Sequence, residues 1–92
     1  MKTRARSGYV NRSEIGGDGL IVVSVWKPNA TVMPDGSFTT EVSTIGAQLI
    51  MLLDKDNKAR ATAISLPEDT FPLVFDAKST TKASMWIGGS EN

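Results

Sequence analysis

The chain contains neither histidine nor cysteine. The first absence removes the side chain that titrates nearest neutrality and is the commonest metal ligand; the second removes thiolate nucleophiles, thiolate metal sites and disulfides. Chemistry would have to come from hydroxyls, lysine and carboxylates, and no spacing among the serines and lysines selects a nucleophile and its base. The expectation is a protein that is not an enzyme and carries no cofactor and no metal. A fold without disulfides suits a reducing compartment. Charge of one sign is missing too: ten Lys and Arg balance ten Asp and Glu. No global field therefore draws the chain to nucleic acid or to a membrane. Long apolar runs are also lacking. The longest, residues 20–26, is far short of the roughly 20 residues that span a bilayer. Glu14 and Asp18 lie ahead of it and Lys27-Pro28 follows it, which argues against an export signal. A soluble cytoplasmic protein is expected, or one of the host cytoplasm or virion if its source is viral.

What is present is a set of short apolar segments between turn residues. With 92 residues, 40% hydrophobic and 22% charged, the composition is that of one globular domain, which buries roughly 60–70% of its unfolded surface. Residues 20–26, Leu-Ile-Val-Val-Ser-Val-Trp, are rich in β-branched residues and bounded by Gly19 and Pro28. That pattern predicts a strand buried on both faces. Thr31-Val32-Met33 and residues 38–44 flank Pro34-Asp35-Gly36-Ser37, a turn sequence, and predict a hairpin in which Phe38, Thr40, Val42 and Thr44 share a face. Residues 47–53 carry leucines at helical spacing and good helix formers, but the turn-forming Asp54-Lys55-Asp56-Asn57-Lys58 and the alternation after it favour strand, turn, strand. Residues 71–76 and 83–87 predict two further strands, and residues 88–92 a frayed tail. The fold class expected is all-β: a small antiparallel barrel or sandwich of six to eight short strands, with a short helix near 47–53 as the alternative there. No fingerprint of a cold-shock, Sm-like or OB-type domain is present.

The one charge cluster is at the start. Residues 1–12 hold Lys2, Arg4, Arg6 and Arg12 without an acid, and read as a basic arm or an edge strand. Phosphate contact by these cations, with Tyr9 as a stacking platform and Trp26, Lys27 or Trp86 nearby, is one use of them; a solvated face is the other. Most of the aromatics are expected in the core, and an exposed Trp26 or Trp86 would instead mark a partner surface. Asp54, Asp56 and Asn57 look like part of a calcium loop, but Lys58, Ala59 and Ser65 stand where an oxygen ligand, a glycine and a glutamate are needed; the segment reads as a tight turn. The glycines at 16, 17 and 19 precede a strand instead of following one, so they do not make a phosphate loop.

These residues point to a non-catalytic module that binds a protein or nucleoprotein partner, of the kind found among accessory or inhibitor proteins of phages and mobile elements. Its expected contact surface combines Lys2, Arg4, Arg6, Tyr9, Arg12, Trp26 and Lys27 with the 16–19 loop and free strand edges. Two alternatives follow from the same residues. One is a β-barrel that binds single-stranded nucleic acid. The other is a self-assembling, virion-type subunit, since 18 of the 92 residues are Ser or Thr and hydroxyl-bearing strands pair readily edge to edge. No membrane partner is expected, and a homo-oligomer fits either reading.

Overall fold

In the computed structural model, which describes residues 2–79, the chain forms seven strands: β1 (Thr3–Val10), β2 (Ile21–Val23), β3 (Ala30–Thr31), β4 (Ser37–Ser43), β5 (Gln48–Leu53), β6 (Ala59–Ser65) and β7 (Leu73–Phe75). They make two sheets, ordered β4-β1-β7 and β3-β2-β5-β6. Among the described residues no ladder joins the sheets, so the molecule is a sandwich and not a closed barrel. All pairings are antiparallel except β1 with β7. Trp86, the 83–87 strand and the 88–92 tail lie outside the described residues.

The alternation seen in the sequence sets the inner faces. Phe38, Thr40 and Val42 of β4 point inward, as do Ile50 and Leu52 of β5 and Ala61 of β6. All of these but Thr40 form one apolar core with Val10, Ile15, Leu20, Val22, Ala30, Leu73 and Phe75. Phe38 and Phe75 meet across the three-stranded sheet with ring centroids 5.8 Å apart. Gly8 makes this contact possible. A Cβ there would collide with the Leu73 carbonyl oxygen and the Phe38 ring, so the ring packs directly against bare backbone.

Residues 48–53 are strand, paired with β6 in a hairpin through the 54–58 turn. Asp54 Oδ1 accepts from the amides of Asp56 (2.8 Å) and Lys58 (3.1 Å). Asn57 adopts the left-handed conformation, φ 61°, which asparagine tolerates better than most residues.

Four expectations need correction. First, residues 1–12 are neither an arm nor an edge: β1 is the central strand of its sheet. Its flanks are supplied by β4 and β7, partners distant in sequence that local pattern does not reveal. Second, the strand in 20–26 is only three residues long. Ser24 ends it by exchanging hydrogen bonds with Lys27 while its hydroxyl donates to the Glu41 carbonyl (2.7 Å), the local competition with strand pairing that serine offers. Val25 and Trp26 are thereby thrown outward. Third, the Pro34-Asp35-Gly36 turn forms, with the Met33 amide donating to the Ser37 carbonyl (2.8 Å), but its arms separate. β3 pairs with β2 and β4 with β1, so the turn is a passage between sheets and not the end of a hairpin. Gly36, at φ 92°, gives its carbonyl to the Val10 amide (2.7 Å). Fourth, the last described strand starts at Leu73 and not at Phe71. Pro72 has no amide to pair, and the Phe71 carbonyl is taken by Arg6; Phe71 itself is 64% exposed, not core.

Candidate functional site

The predicted contact residues do not converge. Because β1 is central and alternates, Arg4 and Arg6 lie on the face turned toward the second sheet, while Tyr9 projects from the opposite face and is exposed. Arg6 is only 3% exposed. Its guanidinium donates to Ser65 Oγ (2.7 Å), Asp69 Oδ2 (3.2 Å) and the Phe71 carbonyl (3.0 Å), and it lies 5.7 Å from the centroid of the Phe71 ring. Arg4 donates to the Asp69 carbonyl (2.7 Å). The two arginines thus tie the 66–72 loop to β1, and Asp69 completes the tie by accepting the Leu66 amide (3.0 Å). Arg12 donates to the Gly17 carbonyl (3.2 Å). Lys2 is exposed just before β1; Lys27 is exposed beside Trp26 in the bend after β2, on the other sheet.

Around Arg6 the inner faces are polar. Thr40 lies opposite it on β4, and Ser24, Gln48 and Ser65 contribute from the second sheet, all buried. Gln48 Oε1 accepts the Ser43 amide (2.9 Å). Three buried polar atoms of the described residues have no hydrogen-bond partner: Arg6 Nε, Gln48 Nε2 and Thr62 Oγ1. A cleft of about 410 Å³ opens beside this layer, between β6 and β7, lined in part by Arg6, Thr62, Ile64, Leu66, Phe71 and Ser79.

The carboxylates are dispersed. Asp69 is engaged by Arg6, whereas its neighbour Glu68 faces solvent. Asp54 is held below the ordinary carboxylate range, chiefly by the Lys58 amide and further by Asp56 and Arg60. The Ser37 hydroxyl and amide do the same for Asp35. Both acids spend their oxygens on their own turns. Among the described residues no group of three or more acidic side chains gathers at metal-ligating distance.

The least ordinary surface is apolar. In the four-stranded sheet, register places Ile21 opposite Leu53, Val23 opposite Met51 and Leu49 opposite Ile64. The inner rows of the same strands hold Val22, Ile50, Leu52 and Ala61, so these six side chains form the outer face. Leu49 and Ile64 are 36% and 40% exposed, and the other four are half-buried. Thr62 continues the row opposite Met51 and is buried where β6 borders the cleft. At the rim, Val23, Val25, Ala47, Leu49 and Met51 line a shallow hollow of about 440 Å³, and Trp26, next along the bend, is 39% exposed. The outer face of the other sheet is quite different: Ala5, Ser7 and Tyr9 of β1 beside Thr39 and Glu41 of β4. One sheet has an ordinary solvent face; the other is aliphatic on both sides.

Of this surface, sequence reasoning singled out Trp26 and missed Ile21, Val23, Leu49, Met51, Leu53 and Ile64. The signal was present as continuity. An apolar run without alternation is the mark of a strand covered on both faces. Comparison with protein-family models, with characterised proteins and with solved structures gives no match.

Proposed function

We propose that this protein is a non-catalytic module that recognises a protein partner, and that the outer face of the four-stranded sheet, with the Val25–Trp26 bend at its rim, is the contact surface. One observation carries the reading: six aliphatic side chains cover that face across three strands with no charge among them. Contiguous apolar surface of this kind marks interaction sites, and the centre of a protein interface is depleted in charge and enriched in aromatic residues and methionine. Such a module acts by occupying a surface on a larger assembly, as an accessory or inhibitor protein does. The nucleic-acid reading draws less support, because Arg4 and Arg6 spend guanidinium donors on the protein's own carbonyl, carboxylate and hydroxyl groups.

Photo-crosslinking tests the reading. A benzophenone amino acid placed at residue 49, on the aliphatic face, is compared with one at residue 39, on the polar face. In extract of the organism that makes the protein, residue 49 should give a discrete protein adduct that persists at high salt and disappears with Met51→Lys; residue 39 should give none. Absence of adduct at 49, or equal labelling at both positions, would remove the proposal.

A further inference from the structure

We infer that residues 83–87 of this chain lie as an extended strand in the cleft between β6 and β7, along the open edge of β6; this goes beyond the proposed function and does not depend on it. Three observations carry it. The first is the cleft itself. β6 ends one sheet and β7 ends the other, and residues of both line the opening of about 410 Å³. Among the described residues neither strand has a ladder on its outer side. Edges left open in this way pair with an added strand or are covered. Thr62 is fully buried although it belongs to an edge strand, whereas Ile64, two residues further along, is 40% exposed. The Thr62 hydroxyl and Arg6 Nε, from two residues of the cleft wall, are buried without a hydrogen-bond partner. Carbonyl oxygens of an extended segment are the acceptors such donors lack.

The second observation is where the chain leads. Asp76 Oδ1 accepts the amides of Lys78 (3.0 Å) and Ser79 (3.2 Å), and the Ala77 amide donates to Glu14 Oε1 (2.9 Å). This pinned turn forms part of the cleft wall through Asp76, Lys78 and Ser79. Four residues carry the chain from Ser79 to Ala83, a reach of at most about 14 Å. So short a tether gives residues 83–87 an effective concentration in the millimolar range. A separate strand at micromolar concentration does not compete with it.

The third is chemistry. Ala83, Met85 and Ile87 alternate with Ser84 and Trp86, the period of a strand, and none of the five is ionisable. On the cleft wall Arg6 and Lys78 are balanced by Asp69 and Asp76, so an acidic ligand meets no net positive charge there. Ile64, Leu66 and Phe71, all exposed, give the same wall an apolar surface. An uncharged strand with apolar side chains matches both properties.

Hydrogen exchange of the purified full chain tests the placement. Alternate amides of residues 61–65 point away from β5. In the wild type these should exchange slowly, and in Met85→Asp with Ile87→Asp at least tenfold faster, while the amides of β1 keep their protection and show that the variant is folded. A benzophenone amino acid in place of Phe71, on the cleft wall, gives a second measure that leaves residues 83–87 unaltered. Illumination should join residue 71 to residues 83–87 of the same molecule at every protein concentration, and a probe at residue 39 should not reach them. Fast exchange of the outward β6 amides in the wild type, or equal exchange in a folded double variant, overturns the inference. So do residue-71 adducts that join two molecules or miss residues 83–87. If the double variant does not fold, the residue-71 adduct alone decides. A residue-49 probe that labels residues 83–87 would put the segment on the aliphatic face and overturn this placement.

Discussion

Arg6 shows how a single residue can change meaning between sequence and structure. Its donors go to Ser65, Asp69 and Phe71, and its side chain is almost wholly enclosed. Removing one member of a buried ion pair leaves the other charge without compensation, which costs about 3–5 kcal/mol. Domains of this size have about 5–15 kcal/mol in all. Arg6→Ala should therefore shift the urea unfolding midpoint strongly downward, while Lys2→Ala, at an exposed position, stays within about 0.5 kcal/mol of wild type. Arg6→Met combined with Asp69→Asn should recover part of the loss, because no lone charge remains. Coincident midpoints for Arg6→Ala and Lys2→Ala would refute the structural role. The sequence shows four cations and no acid near the start, and solvent is then the natural surrounding for them. The acid that redirects Arg6 inward is 63 positions away, beyond the reach of any local pattern.

At the level of elements, the hairpin of β5 and β6 depends on the turn that closes it. Asp54 caps that turn through the Lys58 and Asp56 amides, and those bonds, together with Arg60 at 3.5 Å, favour the ionised form. A carboxyl whose folded-state pKa is depressed contributes stability above its unfolded value, and that contribution is lost as pH falls through the folded value. The window accordingly lies below about pH 4, under the ordinary aspartate value. In an NMR titration the amides of Asp56 and Lys58 should shift together with a midpoint in that window. Asp54→Asn should abolish the step and loosen the turn at neutral pH. A common midpoint at or above the ordinary value would contradict the capping geometry. This element was readable in advance. Turn residues at 54–58, alternation in 59–65 and a competing helical spacing in 47–53 were all visible, and the nearby turn favoured the strand. The passage from β3 to β4 was half readable. Pro34-Asp35-Gly36 announces a turn, but its arms part because β1 offers β4 a seven-pair ladder while β2 takes the short arm, β3.

For the whole molecule, the sandwich has three kinds of face: an apolar interior, a polar outer face on one sheet and an aliphatic outer face on the other. Interior and aliphatic outer positions look alike in sequence, since Leu49, Ile50, Met51, Leu52 and Leu53 follow one another without interruption. The continuity does not say which of these positions face the interior and which face outward; the register of β5 against β2 and β6 decides that. Energetics separate the two sides. Leu52 is fully buried, and truncating such a residue to alanine leaves a cavity that costs about 2–5 kcal/mol. Leu49, on the outside, has little packing to lose, and threonine suits a half-exposed strand position; each Leu→Thr or Ile→Thr exchange there costs less than about 1 kcal/mol. In dilute solution, where association contributes little, Leu52→Ala should lower the urea midpoint markedly, while Leu49→Thr with Ile64→Thr leaves it nearly unchanged and reduces binding of a fluorescent hydrophobic dye. Comparable destabilisation by the two sets would mean that the outer residues are packed as tightly as the core, and the face would then have no room for a partner.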